Sequence, residues 1–173
     1  DTIFVGAPYM DDEEGAGFVF VRDGSTWTLE ARLTPDPDPE GDKLFGNHAA
    51  LSGDALVVAA DAEGDHDQGA VYVFVSTDDS CNAKLIASDA SAEDHFGLPL
   101  AISGDVVAVG APVGTGPFGS FGTGKAYVFR RTGQTWSESM RLLSHDSELE
   151  DEFGHVAISG ATVIVGAAGH DAL

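Results

Sequence analysis

The sequence has few positive charges. Its 173 residues include 8 Lys and Arg against 29 Asp and Glu, which gives a formal net charge of −21 with histidine neutral. Proteins that bind nucleic acid neutralise phosphates with clustered Lys and Arg, so this composition excludes nucleic acid as a natural partner. Cations, cationic partners or a saline medium suit the charge better.

Long apolar runs and cysteines are also scarce. The longest apolar stretch is far below the roughly 20 residues that a membrane helix needs, so we expect no membrane insertion. The one cysteine, Cys81, cannot form a disulfide within the chain, and we expect it to be a buried filler. The start at Asp1, without methionine or leader, predicts a processed product or a window of a longer protein.

Recognisable catalytic motifs are lacking too. The six histidines are scattered, with no His-Glu-x-x-His pair, and the chain has no Gly-x-Ser-x-Gly elbow. Carboxylates are abundant, but nothing singles out one pair as a catalytic acid and base. We therefore predict that the protein is not an enzyme.

Glycine and phenylalanine are plentiful, and they reveal an internal repeat. Phe-Gly recurs at Phe45, Phe96 and Phe153, at spacings of 51 and 57 residues. Each pair is followed by an apolar segment that contains a Ser-Gly turn: AALSGDALVVAA, LAISGDVVAVGAP and VAISGATVIVGAA. Three copies of one unit therefore account for nearly the whole chain.

Each unit predicts four β-strands. The two strands around the Ser-Gly turn are apolar at nearly every position, which is typical of inner strands covered on both faces. The third strand is rich in Val, Tyr and Phe, and the fourth alternates polar with apolar residues. We predict an all-β fold of four-stranded antiparallel β-propeller blades, about three of which are present. The predicted blades are 1–46 (partial), 47–97, 98–154 and 155–173 (the start of a fourth).

The repeated residues also resemble a known family. The strings FGLPLAISGDVVAVGAP, GKAYVFRRTGQTWSESMRL and DEFGHVAISGATVIVGAA are similar to FG-GAP repeats, the blades of the propeller that heads integrin α chains and of many bacterial and algal surface proteins. The resemblance covers essentially the whole chain and implies an extracellular or cell-surface module. Cys81 departs from the pattern, because it stands where the other repeats carry Trp27 and Trp136.

The resemblance also implies calcium between the first and second strands, but that connection is only Ser52-Gly53-Asp54 or a counterpart, too short for the usual calcium loop. Two other acidic loops are candidates. One begins like an EF-hand loop, although its prolines favour an extended chain, and the other is a predicted hairpin. No cofactor is required by the sequence, and calcium is the candidate. Its candidate ligands are Asp36, Asp38, Glu40, Asp42, Asp61, Asp65 and Asp67.

One acidic pattern recurs in every repeat. An acid lies seven residues before each Phe-Gly phenylalanine and another lies three before it. We expect these carboxylates to cap the connection between blades by accepting backbone N–H bonds, and shared cation binding is the alternative. The residues are Asp38, Asp89 and Asp146 at the first position, and Asp42, Glu93 and Glu150 at the second.

Two classes of function follow from this organisation. The first is a structural or adhesive scaffold whose loops contact protein partners. The second is a glycan-binding propeller in which Trp27 and Trp136 stack on sugars, although packing on the outer strand is the simpler role for both. An accessory domain of a secreted hydrolase ranks below these two.

The strand count raises a further expectation. The chain begins in a second strand and stops after another, which gives sets of three, four, four and two strands. Closed propellers need at least four blades, and open ends expose strand edges. We expect a window of a longer propeller, or copies that associate through their ends into a ring or fibre.

Overall fold

A computed structural model describes residues 1–35, 43–64, 66–75, 81–112, 122–146, 148 and 151–169. The described residues form thirteen β-strands and no helix, so they contain no helix that could cross a membrane. The strands belong to four antiparallel sheets, which confirms the predicted all-β fold of propeller blades.

The sheets follow one another along the chain. The first contains β1 (Thr2–Ala7), β2 (Ala16–Asp23) and β3 (Thr26–Leu33); the second contains β4 (Ala49–Ser52), β5 (Ala55–Ala60), β6 (Ala70–Val75) and β7 (Ala83–Leu85). The third contains β8 (Leu100–Ser103), β9 (Val106–Ala111), β10 (Lys125–Thr132) and β11 (Thr135–Leu142), and the fourth contains β12 (Phe153–Ser159) and β13 (Thr162–Ala167). Within each sheet the strands pair in sequence order.

Two-residue turns join the first two strands of each sheet from the second onward, as the Ser-Gly motif predicts. Gly53 has φ +62° and Gly104 has φ +55°, a backbone conformation that glycine adopts without steric cost. The outer hairpins of the first and third sheets also share a bulge at the same place, between Val19 and Phe20 and between Val128 and Phe129. The sequence repeat is thus a repeat of local geometry.

The inner strands are buried where a sheet lies on either side. All six residues of β5 are buried, and so are five of the six in β9. The equivalent strands of the first and fourth sheets are more exposed: Val5 is 48% exposed, whereas Val58, at the same position of β5, is 0% exposed. An apolar strand is therefore buried where neighbouring sheets cover both of its faces.

The core lies between the sheets and forms two clusters. The larger cluster joins the second and third sheets, and the smaller cluster joins the first and second sheets. Cys81 packs against the smaller cluster, and it is half-buried where a buried filler was expected. Its thiol donates a hydrogen bond to the carbonyl of Ala83 at 3.2 Å, close to the start of the short strand β7.

Candidate functional site: the junctions between sheets

Each sheet is fastened to the next by a glycine that lies against a phenylalanine. Gly69 precedes β6 with φ +86°, and a Cβ at this position would overlap the backbone of Phe96 in the next repeat. The same arrangement recurs at the two other junctions. The equivalent pairs are Gly15 with Phe45 and Gly124 with Phe153. Only glycine has room at these positions.

A second contact of this kind involves the glycine in the second strand. A Cβ on Gly6 would meet the carbonyl of Gly46, and a Cβ on Gly110 would meet the carbonyl of Gly154. The glycine of the Phe-Gly pair therefore lies against the Val-Gly-Ala segment of the preceding sheet. In the second sheet Ala59 takes the place of this glycine and faces Gly97.

In the second and third sheets the phenylalanine of the pair also packs on the third strand of its own sheet. Phe45 lies edge-on to Tyr72 and Phe74, with ring centroids 5.5 and 6.1 Å apart, a favoured arrangement of aromatic rings. Phe96 repeats this packing on Tyr127 and Phe129, at 5.4 and 5.9 Å. One residue thus joins two sheets, because its backbone lies against the glycine of the preceding sheet and its ring packs on its own sheet.

A charged cluster lies at the junction of the second and third sheets. The Tyr127 hydroxyl donates to the Asp89 carboxylate at 2.7 Å, Lys125 lies 3.3 Å from the same carboxylate, and Arg141 pairs with it as well. Asp94 lies beside this group, 3.6 Å from Lys125, and accepts the backbone N–H of Ser91 at 2.9 Å. The cluster ties the connection after β7 to strands β10 and β11.

The two carboxylates of this cluster differ in their pKa values. Burial pushes the pKa of Asp89 upward, but the hydrogen bond from Tyr127 and the charges of Lys125 and Arg141 outweigh burial and leave it below its ordinary value. Burial raises the pKa of Asp94, which is 1% exposed, and Lys125 offsets only part of this effect. Burial and the bond to Asp89 raise the pKa of Tyr127, so its hydroxyl stays a donor.

The second sheet carries a related cluster. Tyr72 and Lys84 pair across β6 and β7 as Tyr127 and Arg141 pair across β10 and β11. Here the carboxylate comes from buried Glu63, which accepts the Tyr72 hydroxyl at 2.9 Å and pairs with Lys84. Glu63 is not among the predicted site residues, although its position three residues after the end of buried β5 is a usable signal.

The turns of successive sheets are also linked. The backbone N–H of Gly104 donates to Ser52 Oγ at 3.0 Å, and that of Gly160 donates to Ser103 Oγ at 3.1 Å. Arg131 bonds Asp105 in its own sheet at 2.6 Å and lies 3.6 Å from Asp54 in the preceding one. These links align the turn ends of the second, third and fourth sheets.

Most of the candidate calcium ligands lie outside the described residues, namely Asp36, Asp38, Glu40, Asp42 and Asp65. The other two are described. Asp61 is buried and accepts the Asn47 side-chain amide at 3.1 and 3.2 Å, and Asp67 is half-buried. Across the described ranges, no three His, Cys, Asp or Glu side chains converge as metal ligands.

Three of the predicted capping acids are described, and Asp38, Asp42 and Glu150 are not. Asp89 lies at a connection between sheets, but it is held by side chains and not by the backbone N–H groups expected. Glu93 is exposed, and Asp146 is exposed with bonds from its neighbours Ser144 and His145.

In two repeats a carboxylate does accept a backbone N–H bond. It lies two residues before the phenylalanine, which is one residue after the predicted position. Asp94 accepts the N–H of Ser91, and Asp151 accepts the N–H of Glu148 at 2.6 Å. Both residues are buried and lie two residues before phenylalanine, where the first repeat has buried Lys43. This position was not predicted because it carries lysine in the first repeat and an acid in the other two.

The two tryptophans lie in different environments. Trp27 is 39% exposed, whereas Trp136 is 9% exposed and belongs to the larger core cluster. An arginine lies over each ring, Arg22 over Trp27 at 5.6 Å and Arg131 over Trp136 at 5.7 Å. Sugar stacking needs an open ring face, so Trp27 is the better placed of the two candidates.

Antiparallel sheets of up to four strands, repeated along the chain and joined by the same contacts, define a partial β-propeller. The FG-GAP repeat family matches residues 27–74, 80–129 and 136–172, which together are more than half of the chain. The protein therefore belongs to the FG-GAP repeat family, which confirms the resemblance. No curated protein matches the chain.

Proposed function

We propose that this chain is a non-catalytic extracellular or cell-surface module that serves as a structural or adhesive scaffold for protein–protein contacts. The observation that carries the proposal is the repeated lock between sheets, in which Gly15, Gly69 and Gly124 each lie against the phenylalanine of the next repeat. Sheets joined by these contacts hold their loops in fixed positions, and loops on a rigid support are suited to binding partners.

The carboxylates that bind tyrosine hydroxyls support a structural role. Asp89 and Glu63 each accept the hydroxyl of a buried tyrosine and pair with a cation from an outer strand. A general acid or base must be able to reach a substrate proton, whereas these carboxylates bind neighbouring strands. These bonds to the strands favour a scaffold over an active site.

Glycan binding is the second candidate, and Trp27 is the observation that favours it. Its indole is partly exposed on the outer strand β3, and aromatic faces are common platforms for sugars. Arg22 covers part of the ring, which leaves a sugar to compete with a cation–π contact.

Parallel binding assays on a glycan array and on a panel of immobilised extracellular proteins test both candidates. The scaffold function predicts binding to proteins and none to glycans. Glycan binding that is lost in Trp27→Ala and kept in Leu29→Ala, an exposed residue of the same strand, would establish the lectin instead. Absence of binding to every protein on the panel would contradict the scaffold.

A further inference from the structure

A groove separates the first and second sheets near their turn ends. Its walls are mostly apolar, with Val19, Ala31 and Leu33 on one side and Leu56 and Phe74 on the other. Two carboxylates, those of Glu30 and Asp54, lie in the same lining. The groove has a cavity volume of about 140 Å³ and is open to solvent on one side.

The next junction of the same molecule shows what fills this position. Phe129 of the third sheet corresponds to Phe74 of the second, and Trp136 follows it by seven residues. Trp136 belongs to the core cluster that joins the second and third sheets. The corresponding residue of the second sheet, seven after Phe74, is Cys81. A thiol therefore stands where the other junction has an indole.

Trp136 is accompanied by an arginine. Arg131 pairs with Trp136 across the β10–β11 hairpin and lies over its ring at 5.7 Å. The same guanidinium reaches the carboxylates of Asp105 and Asp54, on the turns of the third and second sheets. At the filled junction, a ring enters the apolar space and the cation beside it neutralises acids at the turns.

Among the described residues, the lining of the groove includes neither a tryptophan nor a basic side chain. Asp54 is the turn residue that corresponds to Asp105; one of its carboxylate oxygens lies 3.6 Å from Arg131, and its side chain is still 55% exposed. Exposed Glu30 adds a second negative charge. Over the described part of β6 and β7 the last pair towards the hairpin is Val73 with Ala83, whereas the third sheet also pairs Arg131 with Trp136 further along its hairpin. An apolar space with two carboxylates in its lining is complementary to an aromatic ring with an adjacent cation.

We propose that the groove between the first and second sheets binds a segment of a partner protein that presents an aromatic side chain beside an arginine. The segment completes this junction as Trp136 and Arg131 complete the next one. The proposal rests on the scaffold function, because it states the chemistry of one partner that such a scaffold holds. The two fail separately in the experiment below.

The probe is a cyclic, fluorescein-labelled peptide with the sequence of residues 129–137, FRRTGQTWS, which holds the arginine and tryptophan in hairpin geometry. Fluorescence anisotropy at low ionic strength measures its binding to the whole chain. We expect saturable binding that weakens about tenfold when the peptide carries Trp136→Ala, since an aromatic ring dominates such contacts. The peptide that carries Arg131→Gln binds about threefold more weakly than the unchanged peptide, and added salt weakens binding further.

Two variants of the protein locate the binding. Cys81→Trp supplies the missing ring from within the chain and abolishes binding, whereas Cys81→Ser keeps the groove open and binds as the wild type does. Glu30→Arg changes only an exposed residue of the lining, so it keeps the proposal testable if Cys81→Trp fails to fold. This variant weakens the arginine peptide and leaves the Arg131→Gln peptide unchanged.

Binding that persists in folded Cys81→Trp, or that is insensitive to Glu30→Arg, overturns the proposal, because the peptide then binds elsewhere on the acidic surface. Absence of peptide binding overturns it as well. If the chain still binds immobilised proteins in that case, the scaffold function stands and only the groove is excluded. If it binds neither, both proposals fail.

Discussion

At the scale of single residues, Gly69 is the sharpest test of the contact between sheets. Gly69→Ala places a methyl group against the backbone of Phe96 and forces alanine to φ +86°. The left-handed conformation and the overlap together should lower the free energy of unfolding by about 3 kcal/mol. Urea denaturation followed by circular dichroism measures the loss.

Gly53→Ala is the matched control, because Gly53 also has a positive φ, +62°, but a Cβ there would meet nothing within 4 Å. Only the cost of the left-handed backbone conformation remains, and we expect the free energy of unfolding to fall by about 1 kcal/mol. Equal losses in the two variants would show that the Gly69 contact adds nothing to the cost of the backbone conformation.

The neighbouring carboxylates Asp89 and Asp94 should respond to pH in opposite directions. The pKa of Asp89 is lowered in the folded chain, so its stabilisation is present above the unfolded value of 3.8 and is lost as pH falls through the folded pKa. The pKa of Asp94 is raised, so the folded chain binds its proton more tightly. Acidification through that raised pKa therefore adds stability.

Asp89→Asn should lower the free energy of unfolding at pH 7 by about 1 kcal/mol, the loss of charge-assisted bonds at a partly exposed site. Asp94→Asn should leave stability at pH 7 unchanged or higher, because the buried charge is removed and an acceptor for Ser91 N–H remains. Urea titrations at pH 7 and at pH 4 measure both effects. Equal losses at pH 7 would contradict this assignment.

At the scale of elements, equivalent strands should differ in their contribution to stability. Val58→Ala in buried β5 removes two methyl groups from the core and should lower the free energy of unfolding by about 2–3 kcal/mol. Val5→Ala, at the same position of exposed β1, should cost under about 1 kcal/mol. Chemical denaturation of the two variants gives the comparison.

A large loss in Val5→Ala would have a definite meaning. It would show that the face of β1 carrying Ile3 and Val5 is covered in solution, by a neighbouring copy or by further blades. Repeating the denaturation at several protein concentrations separates these cases, because stability from a second copy depends on concentration.

The strands could be predicted from sequence because they rest on local signals. The apolar runs of β5 and β9 and the Ser-Gly turns each decide the structure of a few consecutive residues. The partners of the carboxylates could not be predicted in this way. Asp89 finds Tyr127 and Arg141 far along the chain, and that meeting depends on how two sheets pack.

At the scale of the whole molecule, the few cations are placed where sheets or strands meet. Six of the eight Lys and Arg residues pair with carboxylates of the described chain, and Lys43 is buried. The remaining carboxylates leave a strongly negative surface. The order of the sheets could be predicted from the repeat pattern. The carboxylate partners of the cations could not, because they depend on how the strands and sheets pack.

The contact between glycine and phenylalanine at each junction affects how such a protein can gain or lose repeats. The family matches 27–74 and 80–129 each start in or just before an outer strand and end in the next sheet, so the repeated unit spans two sheets. The unit 27–74 carries Phe45 for the junction behind it and Gly69 for the junction ahead. A tandem duplication of this segment would therefore insert a sheet already equipped for both neighbours. Gain or loss of repeats can thus change the number of sheets without new compensating mutations at the joints.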